Sequence, residues 1–354
     1  MQAERLLTAH RGAAENPPNR FEEIQLEPDA EWNPEEDILP RTKFFKDHSR
    51  TIIARNDSPD AGFEASLNPY RGCEHGCIYC YARPTHEYLG FSAGLDFESK
   101  IMVKEDAPEL LRQELSSPKW KPQVIFMSGV TDCYQPVERK LKLTRRCLEV
   151  LAEFRNPVGI VTKNQLVTRD ADVLAELARH QAATVWLSIT TLDTELRKVM
   201  EPRTSPPGAR LAALRTLAAA GIPVGVNVAP IIPGLTDHEV PTILKAAAEA
   251  GATAAGYTVV RLPYAVAPLF ERWLDTHFPG RKDAVLNRLR SLRGGRLYDA
   301  QWGKRHSGEG IFAEQMARMF EVARRKAGIG DEFAPLSTAS FRRPEGAQMS
   351  LSLG

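Results

Sequence analysis

Between residues 66 and 263, short and almost uninterrupted apolar runs alternate with amphipathic stretches. This alternation constrains the fold more than any other feature of the chain. The runs are SLNPYRG, VIFMSG (124–129), VGIVTK (158–163), TVWLSIT (184–190), PVGVNVAPII (223–232) and GYTVVRLP (256–263). Strands that are apolar on both faces need cover on both faces, and a parallel sheet with crossover helices supplies it. The stretches between them, at 107–115, 138–154, 170–180, 208–220 and 237–250, carry apolar residues at helical spacing; Asp170 is a start signal, Gly221 and then Pro223 a stop. Six such units predict an α/β chain built as a partial (β/α)6 TIM-like barrel over 61–263, although a doubly wound open sheet satisfies the same alternation. In either architecture chemistry belongs at the C-terminal ends of the strands.

The flanks read differently. Between Glu15 and Asp37 nine acidic residues face one basic residue and no period persists, so 1–60 is expected to be an extended arm that packs along a larger body or stays partly loose. Helical spacing returns at 268–277, 282–293 and 310–327, giving a C-terminal helical region over 264–330. Residues 281–305 hold eight Lys or Arg and two Asp, which is either a solvated helix face or a local phosphate-binding patch. Residues 331–354 read as a flexible tail. The net charge of +1 excludes a general polycation. No run approaches the roughly 18 apolar residues of a membrane span, and the N-terminal residues lack the apolar run of a signal peptide. The expectation is a cytoplasmic protein with no membrane association.

Three of the five cysteines, Cys73, Cys77 and Cys80, fall in RGCEHGCIYCYARP directly after the first predicted strand. An odd cysteine count with a tight cluster is not a disulfide framework. Thiolates are ligands for soft metals. A structural zinc usually takes four protein ligands, and a fourth would have to be His75 or His86, both expected to be solvated loop residues. Cys133 and Cys147 lie outside metal spacing. A [4Fe–4S] cube offers four irons, so three cysteines leave one iron open.

C-x3-C-x2-C with the aromatic Tyr79 before the third cysteine resembles the radical S-adenosylmethionine superfamily. The resemblance covers about residues 61–263. It implies a [4Fe–4S] cluster on Cys73, Cys77 and Cys80. Its open iron chelates S-adenosyl-L-methionine, and one electron then yields a 5′-deoxyadenosyl radical that abstracts hydrogen from an unreactive carbon. A flavodoxin or ferredoxin is the kind of electron donor it implies. Tyr79-Cys80-Tyr81, Thr131-Asp132 and Thr162-Lys163 are similar to the spore photoproduct lyase-like branch, as an uncharacterised subfamily. The usual Gly-Gly-Glu after the second strand is replaced by Ser128-Gly129-Val130-Thr131-Asp132. By the same likeness, Ser128 and Gly129 approach the amino group of the cofactor, Lys163 and Arg203 pair its carboxylate, Ser188 and Asn227 hold the ribose, and 259–262 lies near the adenine. Tyr81 is a candidate hydrogen relay and Cys133 a candidate hydrogen donor.

The last residues, Gln348-Met349-Ser350-Leu351-Ser352-Leu353-Gly354, alternate apolar and small residues in a segment too short to fold alone. They resemble the peptide by which bacterial replication and repair proteins bind the sliding clamp. The expected function is radical repair or modification of DNA. Radical modification of a protein, peptide or RNA, and a non-catalytic metal scaffold, are the alternatives.

Overall fold

The computed structural model of the chain describes residues 10–21, 41–60 and 62–344. Ten strands are, in chain order, β1 (Lys43–Lys46), β2 (Ile53–Arg55), β3 (Ala65–Leu67), β4 (Tyr70–Arg71), β5 (Lys100–Val103), β6 (Ile125–Met127), β7 (Val158–Thr162), β8 (Ala183–Ser188), β9 (Val224–Ile231) and β10 (Ala254–Val259). The main sheet runs β10-β9-β8-β7-β6-β3-β2, and a second sheet runs β1-β5-β4. From β3 to β10 every neighbouring pair in the main sheet is parallel; β2 adds an antiparallel edge through Ile53↔Leu67 and Arg55↔Ala65. The two ends of this sheet do not pair, so the six parallel strands form the open, partial barrel that the alternation predicts.

The crossover helices form because their buried positions recur every three to four residues. In Leu143–Phe154 these are Leu143, Cys147, Leu148, Leu151 and Phe154. The helix expected over 138–154 is broken at Lys142, which takes a left-handed φ of 54° between Glu138–Leu141 and Leu143–Phe154. The reason is tertiary. The Glu138 carboxylate turns back to accept from Tyr70 Oη (2.5 Å), Thr144 N (3.0 Å) and Arg169 Nη2 (2.7 Å), which a continuous helix would not present together.

The flanking segments are tied down where they are described. Of the N-terminal segment, the described residues pack on the body, with β2 in the main sheet and β1 in the second. Residues 10–13 dock on the body: Gly12 N and Ala13 N donate to Glu98 Oε2 and Oε1 at 2.9 and 2.8 Å. Residues 331–344 are an extended strap across the N-terminal side of the barrel, not a loose tail. Ser337 N donates to Gln181 O and Arg342 N to Phe154 O, both at 2.9 Å, while Phe333 packs on Trp186. The clamp-like residues Gln348, Met349, Leu351 and Leu353 lie outside the described residues. No helix among the described residues is long and apolar enough to cross a membrane.

Candidate radical centre

The loop after β3 is shaped by two glycines in the left-handed region, Gly72 (φ 79°) and Gly76 (φ 67°). A Cβ on Gly76 would stand 2.6 Å from Glu98 Oε2. The loop is tied to its surroundings by backbone bonds from Cys73 N to Phe97 O (2.9 Å), from Ile78 N to Met200 O (3.1 Å) and from Arg203 N to His75 O (3.2 Å). Beneath it lies the buried pair Arg83–Glu98 at 2.5 Å, and the Arg83 guanidinium also donates to Cys77 O, Ala93 O and Gly94 O.

These ties bring Cys73, Cys77 and Cys80 to the wall of one cavity of about 240 Å³ at the C-terminal ends of the parallel strands. Tyr79, Tyr81, Ser128, Lys163, Ser188 and Asn227 line the same cavity. No disulfide joins the five cysteines. Burial pushes all three cluster thiols up from the ordinary thiol value, with Asp132 adding to the effect on Cys73 and Glu201 to that on Cys77. Thiols so placed ionise when a metal cation competes for the sulfur. Among the described residues no three His, Cys, Asp or Glu side chains converge on a single point where one ion would sit. Three cysteines facing one cavity are the donor set of a [4Fe–4S] cluster, one thiolate to each of three irons.

Two carboxylates fix this geometry: Asp132, which the sequence shows only as part of a motif, and Glu201, which no sequence pattern marks. Asp132 accepts from Thr162 Oγ1 (2.7 Å), from Lys163 N (2.8 Å) and from His75, whose Nδ1 is 3.3 Å away. His75 Nε2 lies 3.2 Å from Asn164 Nδ2. Asp132 thus joins the cysteine loop to the ends of β6 and β7. Burial alone would raise its carboxyl; the His75 ring and the hydrogen bonds overcome that and lower it. His75 and His86, expected to be solvated, are 2 % and 0 % exposed. Single-residue patterns miss them because their partners lie far away in sequence.

Glu201 is fully buried. It pairs with Arg210 Nη2 at 2.5 Å and accepts from Thr190 Oγ1 at 2.8 Å and from the Tyr79 hydroxyl. Lys163 Nζ stands 4.0 Å from it and donates to Ala229 O at 2.9 Å. Burial would raise the Glu201 carboxyl, but Arg210, Lys163 and the bond from Tyr79 outweigh it and hold it at about 2. The aromatic of the cysteine motif is therefore anchored through its hydroxyl to a permanent carboxylate.

Other expected residues fall elsewhere. Arg203 is not on the cavity wall: its Nη2 donates to Glu74 Oε1 at 3.0 Å, so it holds the cysteine loop from behind. Gly129 does not line the cavity, and its carbonyl accepts from Tyr81 Oη at 2.8 Å. Ser128 takes a left-handed φ of 77°, held there by Cys133 N donating to its Oγ at 2.9 Å. Cys133 is 0 % exposed and lies off the cavity wall, so its thiol is not placed to return hydrogen to a bound substrate. Tyr81 is 46 % exposed at the opening, with the Arg261 guanidinium 4.3 Å over its ring.

A family model of the Radical SAM superfamily matches residues 67–247. The chain is 37 % identical over 244 residues to an uncharacterized protein of Mycobacterium tuberculosis, covering 68 % of this chain and 71 % of that one. It is 34 % identical over 184 residues to an uncharacterized protein of Methanocaldococcus jannaschii, covering 52 % of this chain and 66 % of that one. Among solved structures it is similar to spore photoproduct lyase complexed with dinucleoside spore photoproduct, at a TM-score of 0.58 and 18 % identity over 82 % of each chain. It is also similar to a double mutant of that lyase with bound AdoMet and dinucleoside spore photoproduct, at a TM-score of 0.54 and 17 % identity. At these identities the likeness to the lyase is one of fold.

Proposed function

From the chain's membership of the radical SAM superfamily, we propose that it is an enzyme acting on a nucleic-acid substrate, repairing or modifying DNA. The family works with a [4Fe–4S] cluster and AdoMet. When bound, these supply a carbon-centred radical that takes a hydrogen atom from an unreactive position. The observation that carries the proposal is the meeting of Cys73, Cys77, Cys80, Lys163, Ser188 and Asn227 on one cavity wall. The three cysteines would hold the cluster. The Lys163 ammonium answers the cofactor carboxylate, and Ser188 and Asn227 offer hydrogen bonds to its ribose. Tyr81 stands at the opening of the cavity, and its hydroxyl would pass a hydrogen atom between cofactor and substrate.

The nucleic-acid part is supported by exposed aromatic residues, of which Tyr81 lines the cavity. Phe21, Tyr81, Tyr88 and Tyr264 are 55 %, 46 %, 72 % and 59 % exposed. Arg20 threads between three of them, 4.6 Å from Phe21, 5.6 Å from Tyr88 and 3.9 Å from Tyr264. Exposed rings interleaved with guanidinium groups stack bases without reading sequence. The lyase of similar fold is complexed with dinucleoside spore photoproduct in its solved structure. A flavodoxin or ferredoxin as reductant, and a sliding clamp bound through Gln348–Leu353, belong to the same proposal.

The test is anaerobic reconstitution followed by reduction with AdoMet, alone and with DNA carrying thymine photoproducts. The proposal requires 5′-deoxyadenosine release that depends on all three cysteines, and lesion-dependent product. Turnover on peptide substrates with none on any DNA would overturn the nucleic-acid assignment.

A further inference from the structure

The end of β10 carries more positive charge than nearby carboxylates answer. Arg261 lines the cavity and stacks on Tyr81, and it makes no ion pair or hydrogen bond among the described residues. Arg293 comes from the C-terminal helical region and is 2 % exposed. Its Nη2 donates to Val260 O at 2.7 Å, while Nε and Nη1 are buried with no partner. His306 lines the cavity too, and its Nε2 is buried without a partner. Arg305, by contrast, is committed: its Nε lies 2.9 Å from Asp60 Oδ2 and its Nη2 donates to Ser58. The basic run at 281–305 is therefore not one exposed patch. Lys282 pairs with Asp275 at 2.6 Å and Lys304 with Glu309 at 2.7 Å, and Arg293 turns inward.

A buried guanidinium with unmet donors costs free energy, and a second guanidinium beside it adds repulsion. Burial first, then Arg261, brings Arg293 down to about 10 against the opposing pull of Asp299 and Tyr298. Burial, then Arg261 and Arg305, holds His306 at about 4, so at neutral pH its imidazole is uncharged and able to donate from Nε2. Arg293, off the cavity wall, adds its charge from behind, and a tetrahedral oxyanion reaches Arg261 and His306, which both line the cavity. Its oxygens accept from the planar fork of an arginine and from a neutral imidazole N–H at once. The exposed rings decide what carries that anion. Tyr81 is in contact with Arg261, and Tyr264, three residues further on, packs at a tilt against Tyr298, ring centroids 6.1 Å apart. An anion held beside exposed aromatic rings matches a phosphate linking two bases.

We propose that Arg261 and His306, backed by the buried Arg293, form a phosphate subsite at the mouth of the cavity that grips one phosphodiester of the substrate while exposed rings take its bases. This deepens the nucleic-acid assignment and rests on it. Gripping the linkage rather than the bases positions a nucleotide over the radical centre whatever its sequence, and position governs where a radical strikes.

The experiment uses the reconstituted full-length enzyme and two probes: a dinucleotide with a single phosphodiester, and its uncharged methylphosphonate analogue. Wild type is expected to bind the charged probe at least about tenfold more tightly, the scale of a hydrogen bond to a charged group. In Arg261→Gln that preference falls close to one, and Arg261→Lys, which keeps the charge without the fork, retains part of it. Arg318→Gln, an exposed helix residue, keeps the wild-type preference. Arg293→Gln should lower that preference by less than Arg261→Gln, with iron content and melting temperature showing whether it has folded. A wild-type preference retained in folded Arg261→Gln and Arg293→Gln overturns the subsite and leaves the nucleic-acid assignment standing. If wild type binds neither dinucleotide but binds inorganic phosphate in an Arg261-dependent way, the anion site stands and the nucleic-acid assignment falls.

Discussion

At the scale of single residues, the two tyrosines flanking Cys80 divide the work. Tyr79 is buried and its hydroxyl bonds to Glu201; Tyr81 is exposed at the opening. Tyr81→Phe keeps the ring under Arg261 and removes the hydroxyl. It is expected to lower product formed per 5′-deoxyadenosine by an order of magnitude or more, equivalent to roughly 1.4 kcal/mol at the hydrogen-transfer step. Cys133→Ala, which deletes a thiol away from the cavity, should leave that yield normal and cost about 1–2 kcal/mol of stability through the small void it creates. Product analysis by mass spectrometry separates the two; a loss of yield in Cys133→Ala alone would restore the thiol as donor. Glu201→Gln leaves Arg210 buried and unanswered. The folded Glu201 carboxyl lies at about 2 against an ordinary 4.5, a difference of roughly 3 kcal/mol in favour of the folded state. Because the folded value is the lower one, this contribution is complete above about pH 4.5 and is lost as pH falls towards 2. Urea unfolding should therefore show a large gap between wild type and Glu201→Gln at pH 7 that narrows as the medium is acidified through pH 4.5.

At the scale of elements, the N-terminal segment is part of the site. Gly12 lies against the Gly76 carbonyl, where a Cβ would collide with backbone rather than with a movable side chain. Gly12→Ala should cost about 1–3 kcal/mol by overpacking and lower the iron retained after purification, though it lies sixty-one residues before Cys73. Retention of full iron and an unchanged melting temperature would mean that the segment docks only loosely. The C-terminal residues make a separate prediction. A peptide of residues 343–354 should bind purified sliding clamp with micromolar affinity, about −8 kcal/mol. Leu351→Ala should weaken it by one to two orders of magnitude, since each buried Leu contributes roughly 1.5–3 kcal/mol. Calorimetry showing no heat at about 100 µM peptide, well above that affinity, would remove the clamp from the proposal.

At the scale of the whole molecule, the cluster loop is held from several directions by the N-terminal segment, β5, the 3₁₀ turn after Cys80 and the loop carrying Glu201. Metal binding should therefore couple to global stability. The reconstituted enzyme is expected to melt several degrees above the cluster-free protein, and limited proteolysis of the latter should cut first near residues 10–14 and 72–80. Equal melting temperatures would show a loop that folds independently of its cofactor. The six strand–helix units, the open barrel and the three cysteines were legible in the chain because hydrophobic period and ligand spacing are local properties. So was the placing of Ser128, Lys163, Ser188 and Asn227 near one another, since strands in a parallel sheet deliver their C-terminal ends to one side. Local patterns could not show that Arg203 turns to Glu74, that Cys133 is sealed off, or that His75 is buried on Asp132. Nor could they show Arg293, remote in sequence, next to Arg261 and His306. Those outcomes depend on which polar group finds a partner once water is removed. A buried charge or hydrogen-bonding group takes whatever partner the packed chain brings within reach, and only the tertiary structure decides which that is.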